Sequence, residues 1–477
     1  MCENCTRREF LGTTTMGGML LAAAPARGQA PAAAPPPVPF PKKIKICTIF
    51  AGTPTPCDRS WGVCEEEITA MEQCLTGLER KLHNVEFVVG RANTPEEAAV
   101  LMKRAGEGAP VLAINLCIGG LLRVSKPILE SGRPLAVFST PASGHDWMYP
   151  FRWQKEGKPV TMFTSSSYAE LERASRLLRV IPLLRHSRAV VFHPMQGTPP
   201  ACSPEKIKSR LGVDVVVVGQ ERFDEMLQAV DEKKAKAEAD VWIRGAKKMI
   251  EPKHEDVLKA ARVSLALDYL MEEEKAQALA VGTCMGWLSR GFPCLGFTRL
   301  RDRGIPASCE GDMDSLWTML LFQQVFGIAG FQGNATFDTA KNAVWTAHCV
   351  GPLKMAGPDG GDAPYLLRSH SEIGGGVVPE IQYKIGQKIT RTKLVNLDTL
   401  LISTGTIREV PEKSVRACRT QIVTEVGDAA KMVRNWGGGV LEGGMMTLLH
   451  RVVFYGDHLQ SARHLADLLK MRVVEEG

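Results

Sequence analysis

The chain has 477 residues, 44% of them hydrophobic and 23% charged, which suits a globular enzyme and excludes a disordered or fibrous protein. Its net charge of +6 is small for that length, and the lysines and arginines are scattered, so nucleic acid is a poor partner. Thirteen cysteines without the even spacing of a small secreted domain read mainly as buried thiols, as in KIKICTIF around Cys47 and LAINLCIGG around Cys117.

The N-terminus carries Thr6-Arg7-Arg8-Glu9-Phe10-Leu11 before a mildly apolar run, the pattern of a twin-arginine export signal. Chains of this kind cross the membrane folded, often with a cofactor loaded. Thr13–Ala24 is too short and too rich in Gly and Ala to span a bilayer, which takes roughly 20 apolar residues. Ala24-Pro25-Ala26 offers small residues for cleavage. Residues 1–26 are therefore read as the signal and 27–42, dense in Pro and Ala, as a stiff linker. The expected location is periplasmic or extracellular, with the twin-arginine translocase as partner during export. Cys2 and Cys5 fall in the discarded segment and receive no role. Cys57 and Cys64 are near enough in sequence to pair, but the expectation is that they stay free.

Next comes a strand at Ile44–Ala51 and a helix at Glu65–Leu82, whose Ile68, Met71, Leu75, Leu78 and Leu82 recur at helical spacing. A strand at Glu86–Val89 precedes a helix with Thr94 as N-cap and Pro95 at its first position. Strands at Val111–Cys117 and Pro134–Ser139 complete the run. Alternating βα units with apolar strands predict a doubly wound parallel sheet over 43–180. Its strands end in loops at Ala51-Gly52-Thr53, Gly119-Gly120 and Thr140–His145, the edge where such sheets bind ligands.

A second α/β unit, 181–330, opens with a strand at Ala189–Phe192 and a helix at Ser203–Leu211. A strand at Val213–Val218, a charged helix near Asp224–Glu238, a strand at Asp240–Arg244 and a helix at His254–Glu274 follow. After a strand at Ala278–Gly282 and a broken apolar stretch, 283–300, a strand at Pro306–Cys309 runs into Glu310-Gly311-Asp312 and a helix at Met313–Phe326. From 331 to 477 alternation in Gly386–Val395 and Thr399–Ile407 predicts a β-rich, barrel-like unit. It closes with a strand at Met446–Tyr455, a helix at His458–Leu469 and a strand at Met471–Glu475.

Ala307-Ser308-Cys309-Glu310-Gly311-Asp312 is the strongest local constellation. Its carboxylates lie between a strand end and a helix start, where negative charge is favoured. Capping of the helix by Asp312 is the competing explanation. His348 in AVWTAHCVG and His450 in MTLLHRVVFYGDH lie on strands. Together with the acidic strand end they suggest a metal site, since imidazole plus carboxylate suits Mn²⁺, Zn²⁺ or Fe²⁺. His145 and His370 sit in loops suited to substrate hydroxyls. His83, His186, His254 and His464 read as solvated helix-face residues. No GxGxxG follows the first strand, and neither a Walker A lysine motif nor GxSxG occurs. Gly374-Gly375-Gly376 and Gly437-Gly438-Gly439 read as flexible turns.

Three features resemble the L-fucose isomerase and L-arabinose isomerase superfamily: CEGDMDSLWTMLLFQQVFG (309–327), LLHRVVFYGDHLQSARHLADLLKMRVVE (448–475), and the order of two α/β units before a β-rich one. The resemblance implies a divalent metal, Mn²⁺ or a similar ion, with Asp312 and His450 as ligands and His348 as a further one. It also implies catalytic roles for Asp312 and Glu310, an aldose–ketose interconversion through an enediol, a small sugar substrate and a homo-oligomer. The family carries another catalytic acid earlier in the chain, but 275–301 contains no Asp or Glu and offers Cys284 and Cys294 instead. Two readings follow: an exported metal-dependent carbohydrate isomerase, or a non-catalytic sugar-binding protein that keeps the fold. A third, an exported oxidoreductase with a nucleotide cofactor, is disfavoured by the missing Gly-rich fingerprint.

Overall fold

In the computed structural model the first βα run forms a five-stranded parallel sheet. Its strands are β1 (Ile44–Ala51), β2 (Val85–Ala92), β3 (Val111–Asn115), β4 (Leu135–Ser139) and β5 (Val160–Thr164), in the order β2-β1-β3-β4-β5. The structure describes residues 43–411, 416–437 and 445–477. The export signal read at 1–26, the linker at 27–42 and Gly438-Gly439 lie outside the described residues. β5, absent from the sequence reading, is the short run VTMFT. The helix Glu65–Leu82 buries the five apolar residues expected of it, worth roughly 1.5–3 kcal/mol per side chain. The helix Pro95–Ala105 is held by a capping box between Thr94 and Glu97.

The second sheet is also parallel, in the order β10-β9-β6-β7. It uses β6 (Arg188–Phe192), β7 (Asp214–Val217), β9 (Ala278–Val281) and β10 (Ala307–Cys309). A two-residue strand, β8 (Lys248–Met249), pairs instead with β13 (Tyr365–Arg368) of a small separate sheet. Asp240–Arg244 is not a strand. It lies within the helix Glu232–Gly245, because Ala235, Ala239 and Trp242 are buried at helical spacing. The single charged helix expected near 224–238 is two, Gln220–Gln228 and Glu232–Gly245, the second started by the Asp231 cap. The broken stretch 283–300 becomes a 3₁₀ segment, Cys284–Arg290, and a helix, Cys294–Asp302.

The C-terminal part supplies β11 (Phe331–Asp338), β12 (Ala343–His348), β13, β14 (Val378–Ile381), β15 (Lys388–Val395), β16 (Thr399–Glu409), β17 (Thr420–Glu425), β18 (His450–Tyr455) and β19 (Arg472–Glu475). The order β15-β18-β11-β12-β17-β16, with β16 pairing back to β15, closes a six-stranded antiparallel barrel. β19 joins outside it, parallel to β16. The fold is therefore two parallel α/β sheets followed by a barrel. The strand expected over Met446–Tyr455 starts at His450, and 445–449 form a helical turn.

Arg451 lies over Trp436 and makes two hydrogen bonds to Glu476, at 3.1 and 2.7 Å, in full burial. Cys57 and Cys64 form a disulfide, against expectation. His464 is also not solvated. It is buried, stacked on Phe163 and bonded through Nδ1 to Thr161 Oγ1 at 2.7 Å. His83 and His186 stand at helix C-caps rather than on faces. Among the described residues no helix is long and apolar enough to cross a membrane.

Candidate functional site

The site forms where the C-terminal edge of the second sheet meets the barrel. β10 ends at Cys309, and Glu310 and Gly311 both take left-handed backbone, with φ of 59° and 65°. For glutamate that conformation costs of order 1–3 kcal/mol, a strain typical of functional sites. A Cβ on Gly311 would lie 2.2 Å from the Pro194 carbonyl oxygen, so glycine is required there. Gln196 holds the turn: its N–H donates to the Gly311 carbonyl at 2.8 Å and its side-chain amide to the Glu310 carbonyl at 2.9 Å.

Asp312 caps the helix Met313–Phe326, accepting from the Ser315 N–H at 2.9 Å and hydroxyl at 2.7 Å. It is fully buried, with Lys393 Nζ of β15 at 2.9 Å and His450 Nδ1 of β18 at 3.0 Å. Burial opposes its ionisation, but Lys393 and then the His450 hydrogen bond outweigh this and hold the carboxyl well below the usual carboxylate range. An ionised carboxylate only accepts, so His450 Nδ1 donates to it, and Nε2 is left on the Glu310 side of the ring.

His450 Nε2 is buried and has no hydrogen-bond partner. It lies 3.4 Å from Glu310 Oε2. His348, at the end of β12, faces His450 with ring centroids 5.2 Å apart. Burial, then His450, pushes its imidazole down to about 3, so the ring is neutral as a metal ligand must be. Burial raises the Glu310 carboxyl above its ordinary value, with His450 opposing and Glu372 adding to the rise. Glu310, His348 and His450 each offer one ligand atom, all within 4.8 Å of one another. These three residues could hold a metal ion, and Nε2 is a buried nitrogen without a hydrogen-bond partner that such an ion would satisfy once unprotonated. Cys57, Cys64 and Glu66 also cluster, but the disulfide uses both sulfurs.

Of the residues expected at the site, Glu310, His348 and His450 come together, and His370 lines the same cavity as Glu310 and His348. Asp312 lies behind His450, committed to the helix cap and to Lys393. His145 is elsewhere, exposed at the edge of the first sheet with its ring 4.7 Å from that of Trp61. The cavity has a volume of about 10 Å³, room for one water, and five of its lining residues are cysteines: 284, 294, 309, 349 and 418. Cys349 is held well below the ordinary thiol value by its Cys418 bond, against burial, with His370 adding to the effect.

Sequence reasoning missed Lys393, Gln332 and Gln196. Gln332 of β11 joins the parts, accepting from the Cys309 N–H at 3.1 Å and from Arg301 at 3.1 Å. The one available signal was in ITRTKLV, where period-two alternation puts Arg391 and Lys393 on the face shared with Ile389 and Val395. No protein-family model and no curated protein matches this chain.

Proposed function

We propose that this protein is an exported, metal-dependent carbohydrate enzyme of the aldose–ketose isomerase type. The ion would be Mn²⁺ or a similar divalent cation, held by Glu310, His348 and His450. One observation carries the reading: a half-buried carboxylate and two buried imidazoles converge at a parallel-sheet edge, and one imidazole nitrogen has no hydrogen-bond partner. When bound, such an ion would polarise a carbonyl and adjacent hydroxyl of a sugar. The remaining work falls to the chain's own groups. Asp312 fixes the His450 tautomer and ring. Glu310, with its raised proton affinity, holds or yields a proton at its carboxylate oxygen. His370 and Glu372 face the same cavity and suit substrate hydroxyls. The paired arginines Arg7 and Arg8 support delivery by the twin-arginine translocase after folding.

A specific observation favours a second reading, a sugar-binding protein without turnover. Cys284, not a carboxylate, follows β9 into the cavity, and the cavity is small. Metal analysis of the purified protein with a thermal shift on added Mn²⁺ tests the first reading. No bound metal and an unmoved melting curve would sink it. Incubating the metal-loaded protein with aldoses and ketoses in D₂O separates the two. Deuterium at the carbon beside the carbonyl requires turnover; binding without exchange leaves the second reading.

A further inference from the structure

Two cysteines of the cavity wall touch each other beside Glu310. The Cys284 and Cys309 sulfurs are 3.3 Å apart and both are buried. They sit beyond and at the ends of neighbouring strands, with Cys309 of β10 in register with Val281 of β9. The Glu310 N–H also donates to Cys284 Sγ at 3.3 Å. One sulfur thus supports the backbone of the residue that bears the candidate metal-binding carboxylate, and that residue already occupies left-handed backbone.

We propose that Cys284 and Cys309 are an oxidative modification site, at which hydrogen peroxide forms a disulfide that weakens divalent-metal binding at Glu310. Closing the sulfurs to about 2.05 Å moves them together by about 1.3 Å. It also replaces the acceptor of the Glu310 N–H by a poorer one, beside a backbone with no slack. The chemistry balances as follows. The Cys284 sulfur attacks one peroxide oxygen, the O–O bond breaks, and a sulfenic acid and one water form. The Cys309 sulfur then displaces the hydroxyl from the Cys284 sulfur. The S–S bond forms, and the hydroxyl leaves with the Cys309 thiol proton as a second water. Two electrons pass from the sulfurs to the peroxide. Cys284 reacts first because its sulfur accepts the Glu310 N–H and faces the cavity.

The disulfide stands on the sulfur geometry alone; its effect on metal rests on the function proposed above. The test treats reduced full-length protein with graded hydrogen peroxide, blocks remaining thiols with iodoacetamide and maps the peptides by mass. A Cys284–Cys309 cross-link is expected, reversed by dithiothreitol and absent in Cys284→Ser and Cys309→Ala, whose melting curves check that they fold. Mn²⁺ titration should show binding weakened at least fivefold in the oxidised protein and unchanged by peroxide in Cys284→Ser. Free Cys284 and Cys309 after peroxide, or a Cys349–Cys418 link in their place, would overturn the site. A cross-link with unchanged Mn²⁺ affinity would overturn the coupling. Failure of both forms to bind Mn²⁺ would remove the metal function, while the peptide map still decides the disulfide.

Discussion

The two parallel sheets solve the same local problem with different outcomes. In each, a strand passes through a left-handed glycine into a helix, and an aspartate takes up N–H groups at that helix start. At the first sheet Asp146 accepts from the Gly119 N–H at 2.8 Å and the Leu121 N–H at 3.1 Å. Around it the rim is open, with Trp61 50%, Ile118 50% and Trp147 46% exposed. At the second sheet Asp312 does the capping, but the barrel covers it and it is 0% exposed, as is His450. Asp146 is itself only 3% exposed, but its bonds go to backbone N–H groups alone. Sealed under a barrel that brings a lysine and a histidine, the same residue type becomes the charge that orients a possible ligand-bearing ring.

The contrast can be broken most forcefully at Lys393. Replacing it with Met leaves the Asp312 charge buried without its cation and should cost about 3–5 kcal/mol in denaturant unfolding. A cost below about 1 kcal/mol would mean that Asp312 is far more hydrated than its burial implies. Next is Asp312→Asn, which keeps an acceptor for the cap but loosens the hold on His450. Mn²⁺ affinity measured by calorimetry should fall about 10–100-fold. The counterpart on the open rim, Asp146→Ala, should cost only about 1–2 kcal/mol and leave Mn²⁺ affinity unchanged.

The most gradual effects are in pH. His464, packed against β5 of the first sheet, is pushed by burial, then by Arg173, from 6.5 down to about 4. The unfolded chain takes up its proton first, so this contribution is present above pH 6.5 and is lost as pH falls from there through 4. Asp302, beside the second sheet, is pushed by burial, against the Lys354 N–H, from 3.8 up to about 7. Its folded form keeps the proton, so that contribution is present below pH 3.8 and is lost as pH rises through 7. Each slope is at most about 1.4 kcal/mol per pH unit. Melting curves should show His464→Gln flattening the acid limb and Asp302→Asn the neutral one. Identical pH profiles for both variants and the parent would refute this pair of assignments.

Much of the α/β half could be read directly from residues. Glu65–Leu82 and Met313–Phe326 declare themselves by apolar content, caps and a terminal glycine or histidine. Errors came where propensity and period compete. The VWIR run of Asp240–Arg244 looks β-like, yet Ala235, Ala239 and Trp242 pack at helical spacing and tertiary contact decides. At the site, Glu310, His348 and His450 stood out as residue types, but their division of labour did not. Which carboxylate faces the cavity depends on Lys393, which reaches Asp312 across a barrel closed by pairing of distant strands. A lone lysine in a strand reads as solvent-facing until that closure is known.

The small cavity has a kinetic consequence. With room for about one water, it holds a seated ion closely, and exchange is expected to wait for the wall beside the exposed Glu372 to move. Release to a chelator should therefore proceed at a rate independent of chelator concentration once the chelator is in excess, and should quicken when Cys284, Phe292 or Cys418 is made smaller. A stopped-flow trace whose rate climbs linearly with chelator would show that the wall is no barrier. If it is one, the moment of folding becomes the natural time for loading, and the compartment in which the chain folds would decide which ion it carries.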